Sequence, residues 1–131
     1  MPEGLTVAEV QELHDVQISR YGGSPGLRDA GGLESALEQP TQEVFGQRRF
    51  ETVPAQAAAY LYHVSRAHAF IDGNKRTALA CALVWLDLHG LRLMASHDEL
   101  FQLTVEVAQG RQNVEQAITF FETLAEKDQP A

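Results

Sequence analysis

The chain has 131 residues, a formal net charge of −8 and 44% hydrophobic residues, which suits one folded domain around one core. Acidity on this scale disfavours a role in gripping nucleic acid through phosphate contacts, which need clustered cations; Arg48 and Arg49 form only a small basic pair. A single cysteine, Cys81, excludes an internal disulfide and argues against a cysteine-based zinc site, and it sits in an apolar run as a small hydrophobe.

Taken in chain order, residues 6–21 read as a first helix. Thr6 and Glu9 form a capping-box pattern, and Val7, Val10, Leu13, His14, Ile18 and Tyr21 recur on one face. Gly22 and Gly23 stop it. "GGSPGLRDAGG", residues 22–32, is too rich in glycine for a regular element and reads as a loop. A short helix is expected at 33–39, closed by Pro40, and 41–53 is left open between loop and short helix.

Pro54 suits the first position of a long helix reaching about Ile71. A second long helix runs from about Asn74 to His89 and stops at Gly90. Both are apolar on most sides, which marks them as central and buried. "ALACALVWL" is far shorter than the roughly 18 apolar residues of a membrane span, and the start of the chain lacks a secretory pattern. A soluble, cytoplasmic protein with no membrane partner is expected. "LRLMAS" suits a short strand or extended link. Ser96 with Glu99 opens a helix to about Ala108, and Asn113 with Gln116 opens a last one. The tail 126–131 is expected to fray. The expected fold is all-α: about six helices around two central ones, forming one domain over 1–131 with its core at about 5–125.

Between the central helices lies "HAFIDGNKRTA", residues 68–78. "DGN" breaks the helical run, so the second helix begins with unsatisfied N–H groups that favour an anion. Cations at that end are disfavoured by ~0.3–1 kcal/mol each, so Lys75 and Arg76 together point to a phosphate guest. Arg76 can grip it bidentately and Lys75 can act as a point charge. Gly73 permits close approach, and Asn74 can cap the helix or donate its amide. Asp72 beside a phosphate calls for a divalent cation between them, and Mg²⁺ is commonly held in that way. His68 could accept a proton from an incoming hydroxyl. A structural role fits the same residues as well: His68 a satisfied core histidine, Asp72 a cap, and Lys75 and Arg76 snorkelling to water.

The stretch resembles the signature of the Fic/Doc superfamily, H-P-F-x-[DE]-G-N-G-R-x-x-R, at His68, Phe70, Asp72, Gly73, Asn74 and Arg76. It departs at Ala69, Lys75 and Leu79, and those departures resemble the Doc branch, H-x-F-x-D-[AG]-N-K-R-T-A. "LHDVQISRYGGSPGLRD", residues 13–29, is also similar to a Doc start. The resemblance implies a compact Fic/Doc-like bundle with a flap-like Gly-rich loop. It implies a toxin kinase of a toxin–antitoxin pair that transfers the γ-phosphate of Mg²⁺-bound ATP to a threonine of elongation factor Tu. The partner it implies is a Phd-type antitoxin whose C-terminal segment blocks the toxin. Carried over by position, His68 is the general base and Asp72 the Mg²⁺ ligand. Gly73, Asn74, Lys75 and Arg76 hold phosphates, and Phe70 locks the loop into the core. Arg20 and the loop 22–29, with Gly22 and Gly23, match a region near the active-site groove and are candidates for substrate or flap roles; a solvated helix end is the simpler account of Arg20, and a passive connector accounts equally well for the loop.

Three alternatives stand beside the kinase: Fic-type AMP transfer, a catalytically weak module that only binds an antitoxin, and metal-dependent phosphate hydrolysis. The last is weakened by the lack of a second histidine–aspartate pair at ligand spacing. His14 and His63 are expected in the core, and Trp85 and the phenylalanines of the last two helices are expected to pack.

Overall fold

The computed structural model describes residues 3–128. Its first helix, α1 (Val7–Tyr21), opens on the expected capping box: the Glu9 N–H donates to Thr6 Oγ1 at 3.1 Å and the Thr6 N–H to Glu9 Oε1 at 2.9 Å. Gly22 closes it, its N–H donating to Ile18 O. The next helix, α2 (Ala30–Glu38), begins three residues before its expected start. The Asp29 carboxylate accepts from the Gly32 N–H at 2.8 Å, so a good N-cap draws Gly31 and Gly32 into the first turn despite their low propensity. Residues 43–48 form a small hairpin, β1 (Glu43–Val44) against β2 (Gln47–Arg48). Phe45 and Gly46 turn it, both at positive φ, as a two-residue hairpin loop requires.

The central pair is α3 (Val53–Ala67) and α4 (Asn74–Leu88). Thr52 caps α3, with Pro54 in its first turn. The helix ends at His68, short of the expected Ile71, because the main chain of 69–71 bonds elsewhere. Ala69 O accepts from the N–H groups of Arg28 (2.7 Å) and Asp29 (3.0 Å), and the Ile71 N–H donates to Gly26 O at 3.0 Å. A long-range pairing has taken the donors and acceptors that another helical turn would use.

Beyond α4 come β3 (Leu91–Leu93), α5 (His97–Ala108), α6 (Val114–Leu124) and β4 (Ala125–Lys127). Both late helices carry the expected capping boxes. The tail is ordered further than expected: β4 pairs antiparallel with β3, Arg92 opposite Glu126, and the Asp128 N–H donates to Gly90 O. Residues 129–131 lie outside the described ones. The Arg92–Glu126 contact at 3.2 Å is exposed, worth at most about 1 kcal/mol; the backbone ladder fixes the segment.

The core is built on α3, which packs along α4 and also meets α2, α5 and α6; α1 lies on α4. Ala57, Ala58 and Ala59 are wholly buried, and their small side chains let the neighbouring helices close in. The large fillers are Tyr60, Leu61, Trp85, Leu86 and Phe121. The polar tips of the two large aromatics are partnered: Tyr60 Oη accepts from the Leu5 N–H at 2.9 Å, and Trp85 Nε1 donates to Gln56 Oε1 at 3.1 Å. Gln56 Nε2 in turn donates to Phe50 O. Burial pushes the Tyr60 hydroxyl up to about 12, the Leu5 N–H opposing it, and the Cys81 thiol up to about 12 as well. Among the described residues the architecture is all-α with six helices, as expected. No helix among the described residues is long and apolar enough to cross a membrane.

Candidate active site

The site grows from the loop between the central helices. His68, the C-cap of α3, takes the left-handed conformation (φ 49, ψ 41) with an exposed side chain. A non-glycine residue held there stores on the order of 1–3 kcal/mol of strain, and such residues cluster at functional sites. The loop is stitched to the Gly-rich segment by the bonds that end α3, through a Leu27–Phe70 bridge and by Arg28 Nη2, which donates to His68 O at 2.6 Å. The loop at 22–29 is therefore a short strand-like strap across the motif.

Phe70 is buried (1% exposed) and stacks on His14 with ring centroids 3.9 Å apart and planes 8° from parallel. His14, also buried, places Nε2 2.7 Å from Asp72 O. A carbonyl can only accept, so Nε2 carries the hydrogen. His14 is a core residue, as its apolar helix face implied, but it also braces the motif loop from α1.

Asn74 does not cap α4. Its Oδ1 accepts from the Phe70 N–H and its Nδ2 donates to Phe70 O, both at 2.9 Å. The side-chain amide thereby mimics a strand partner and sets the loop's shape. Gly73 is the N-cap of α4 at φ 78, and no side chain caps the helix. Its first intrahelical bond is from Thr77 N–H to Gly73 O, so the N–H groups of Asn74, Lys75 and Arg76 remain for a guest. A Cβ at Gly73 would come within 3.2 Å of Ile18 Cδ1 and 3.5 Å of His14 Nε2, so glycine serves both the backbone and the fit.

Asp72 is exposed and oriented by two main-chain donors, Gly73 N–H to Oδ1 at 2.9 Å and Ser24 N–H to Oδ2 at 3.1 Å. Gly23 approaches so closely that a Cβ there would stand 2.6 Å from Asp72 Oδ2. The strap thus positions the carboxylate.

Asp72, Gly73, Asn74, Lys75 and Arg76 line one cleft of about 150 Å³ with Tyr21, Gly22 and Phe101. A neighbouring cleft of about 210 Å³ adds Arg20, so Arg20 stands beside the site while remaining exposed. His68 heads the motif loop but is not part of either lining. Lys75 is exposed and Arg76 half-buried; among the described residues the one ion pair is Arg92–Glu126, and neither motif cation is paired. Leu79, where the Fic signature has its last arginine, is 4% exposed and belongs to the core.

Ser24 and Arg28 belong to the loop 22–29 singled out for a flap role, whereas His14, Tyr21 and Phe101 join the site without having been singled out for it. Tyr21 is 48% exposed instead of completing the apolar stripe of α1, and Phe101, expected to pack, faces Arg76. Only His14 left a signal in the sequence, as a histidine on an apolar helix face; the others are brought in by tertiary contact.

Comparison with known proteins gives the same assignment as the motif. A model of the Fic/DOC family matches residues 4–86. The chain is 40% identical over 110 residues to a protein of Escherichia phage P1 named Protein kinase doc, covering 84% of this chain and 86% of that protein. It is also 40% identical over 78 residues to Toxin Doc of Mycolicibacterium smegmatis, 60% of each. The chain belongs to the Fic/Doc family, on its Doc side.

Proposed function

We propose that the protein is the toxin of a toxin–antitoxin pair and acts as a protein kinase. It would transfer the γ-phosphate of ATP to a threonine or serine hydroxyl of a translation factor, elongation factor Tu being the expected target, and so arrest translation. The names of the two relatives, a kinase and a toxin, support this reading. The observation that carries it is the start of α4: a helix N-terminus without a side-chain cap and with two cations that no carboxylate pairs among the described residues, facing a cleft that also holds a carboxylate. That arrangement suits an anion whose charge a divalent cation partly offsets.

In this reading the free N–H groups of Asn74, Lys75 and Arg76 and the two cationic side chains seat the phosphates, Gly73 allowing their close approach while its own N–H holds Asp72, and the Asn74 amide being occupied by Phe70. His68 takes the proton from the acceptor hydroxyl, whose oxygen bonds to the γ-phosphorus as the bond to the β,γ-bridging oxygen breaks. ADP leaves with that electron pair. Asp72 suits a magnesium ion: its oxygens are oriented by two N–H groups and each keeps acceptor capacity. No group of three or more histidine, cysteine, aspartate or glutamate side chains converges as a metal cage among the described residues, so phosphate and water oxygens would complete the coordination. Magnesium held there would offset negative charge developing on the transferred group.

AMP transfer ranks second. Lys75 replaces a glycine that Fic proteins use for the diphosphate, and the buried Leu79 cannot serve as a phosphate ligand. Incubation with elongation factor Tu and either γ-labelled or α-labelled ATP separates the two. Transfer of the γ-label supports the kinase, and transfer of the α-label alone replaces it with AMP transfer. His68→Ala and Asp72→Asn are expected to abolish transfer in folded protein. A Phd-type antitoxin blocking the groove is the proposed partner, acting in the cytoplasm. Growth arrest on expression, relieved by that antitoxin, supports an active toxin; indifference of the cells favours a binding module without activity.

A further inference from the structure

Arg76 is held in a way that leaves its chemistry unused. Its Cζ stands 3.9 Å from the centroid of the Tyr21 ring and 4.9 Å from that of Phe101. Among the described residues no carboxylate pairs with it. Tyr21 is the last residue of α1 and Phe101 lies in α5. Two elements far apart in the chain therefore meet on one guanidinium, and all three groups line the cleft that contains Asp72 and the start of α4.

The choice of aromatic partners has a consequence. A carboxylate beside Arg76 would offset its charge and occupy the donors that a phosphate needs. Ring faces attract a cation within about 6 Å through their quadrupole and take none of its five N–H donors, which lie in the plane and point outward. Lys75 is the contrast: exposed and without any such contact, it is a mobile point charge. The exposure of Tyr21 at the end of an otherwise apolar stripe also fits, because its ring is engaged by Arg76 instead of the core.

We propose that Tyr21 and Phe101 are positioning residues: their rings hold the Arg76 guanidinium so that its free N–H edge faces the polyphosphate of the bound nucleotide. The proposal rests on the nucleotide site proposed above. Phe101 lies outside the span matched by the family, residues 4–86, so this side of the clamp comes from α5 of this chain.

The test is calorimetric titration of the full-length protein with magnesium–ATP and, separately, with magnesium–tripolyphosphate, which has no base. Tyr21→Ala and Phe101→Leu are expected to weaken both ligands by roughly twofold to thirtyfold, the range spanned by cation–π contacts. Tyr21→Phe keeps the ring face and should restore affinity. In an Arg76→Ala background, Tyr21→Ala should remove no further affinity, because the ring then has nothing to position. A loss confined to ATP would mean that the rings stack on the base, and a loss fully additive with Arg76→Ala would mean that they act elsewhere; either overturns the proposal. Should Tyr21→Ala fail to fold, Tyr21→Leu makes the same comparison. If the unmodified protein binds neither ligand, the nucleotide site itself falls; if it binds both and the ring variants bind equally well, only the clamp does.

Discussion

Replacing His14 with alanine removes a brace that only the folded chain assembles. Three losses combine. The stack on Phe70, nearly coplanar at 3.9 Å, is worth about 0.5–1.5 kcal/mol. The hydrogen bond to Asp72 O contributes about 1 kcal/mol net, and little more is lost by leaving that carbonyl bare, because Asp72 is exposed and water can reach it. The vacated space beneath Phe70 adds a cavity term, giving a total of about 2–4 kcal/mol. For a domain of this size that lowers the thermal midpoint by on the order of 10 °C. Urea unfolding followed by tryptophan fluorescence reads the change, since the single tryptophan, Trp85, is buried. His14→Gln, which can still donate but cannot stack, should fall between the two. A loss below about 1 kcal/mol, or glutamine no better than alanine, would refute the claim that α1 braces the motif loop through this side chain.

Gly23→Ala and Gly22→Ala form a matched pair. Both demand a left-handed backbone, but only at Gly23 does a Cβ strike Asp72 Oδ2, while nothing lies within 4 Å at Gly22. Gly23→Ala should weaken magnesium–nucleotide binding well beyond Gly22→Ala, and equal titration curves would show that the strap does not position the carboxylate. Burial, with the Arg49 charge adding to it, pushes the His63 imidazole down to about 4 from its ordinary 6.5. The unfolded chain then binds the proton more readily, so stability present above pH 6.5 is lost as pH falls toward 4. The ring is half-buried and solvent screening trims the effect to about 1–2 kcal/mol; His63→Gln should flatten this part of the denaturation profile. The Cys81 thiol, buried and shifted upward, should resist alkylation in the native protein and react at once in denaturant, with labelling followed by mass spectrometry.

Local rules account for much of what the sequence made legible. The capping boxes at Thr6, Ser96 and Asn113 and the stops at Gly22 and Gly90 act within one turn of chain, so helix ends governed by them could be placed within a residue or two. The second helix starts early because a local cap, Asp29, outweighs the low propensity of Gly31 and Gly32, but two other ends moved because of partners far away in the chain. The third helix stops at Ala67 because residues 26–29 take its next hydrogen bonds, and Ala125–Lys127 become a strand because Leu91–Leu93 offer an edge. The loop at 41–53 could not be resolved from pattern because a two-residue strand carries too little periodicity to read.

The site divides the same way. The residue types of the motif, and the polarity of a helix start that welcomes an anion, follow from the order of residues 68–78 alone. Residue order alone names the chemistry available: an imidazole, a carboxylate, a glycine-opened helix start and two cations. Packing then set how those groups are held: His14 reaches across from α1, the strap aims Asp72, and two rings flank Arg76. The physical reason is range. Capping and helix polarity act over neighbouring residues and are written in their order, whereas stacking, strap pairing and cation–ring contact join residues dozens of positions apart, which meet only once the core has packed.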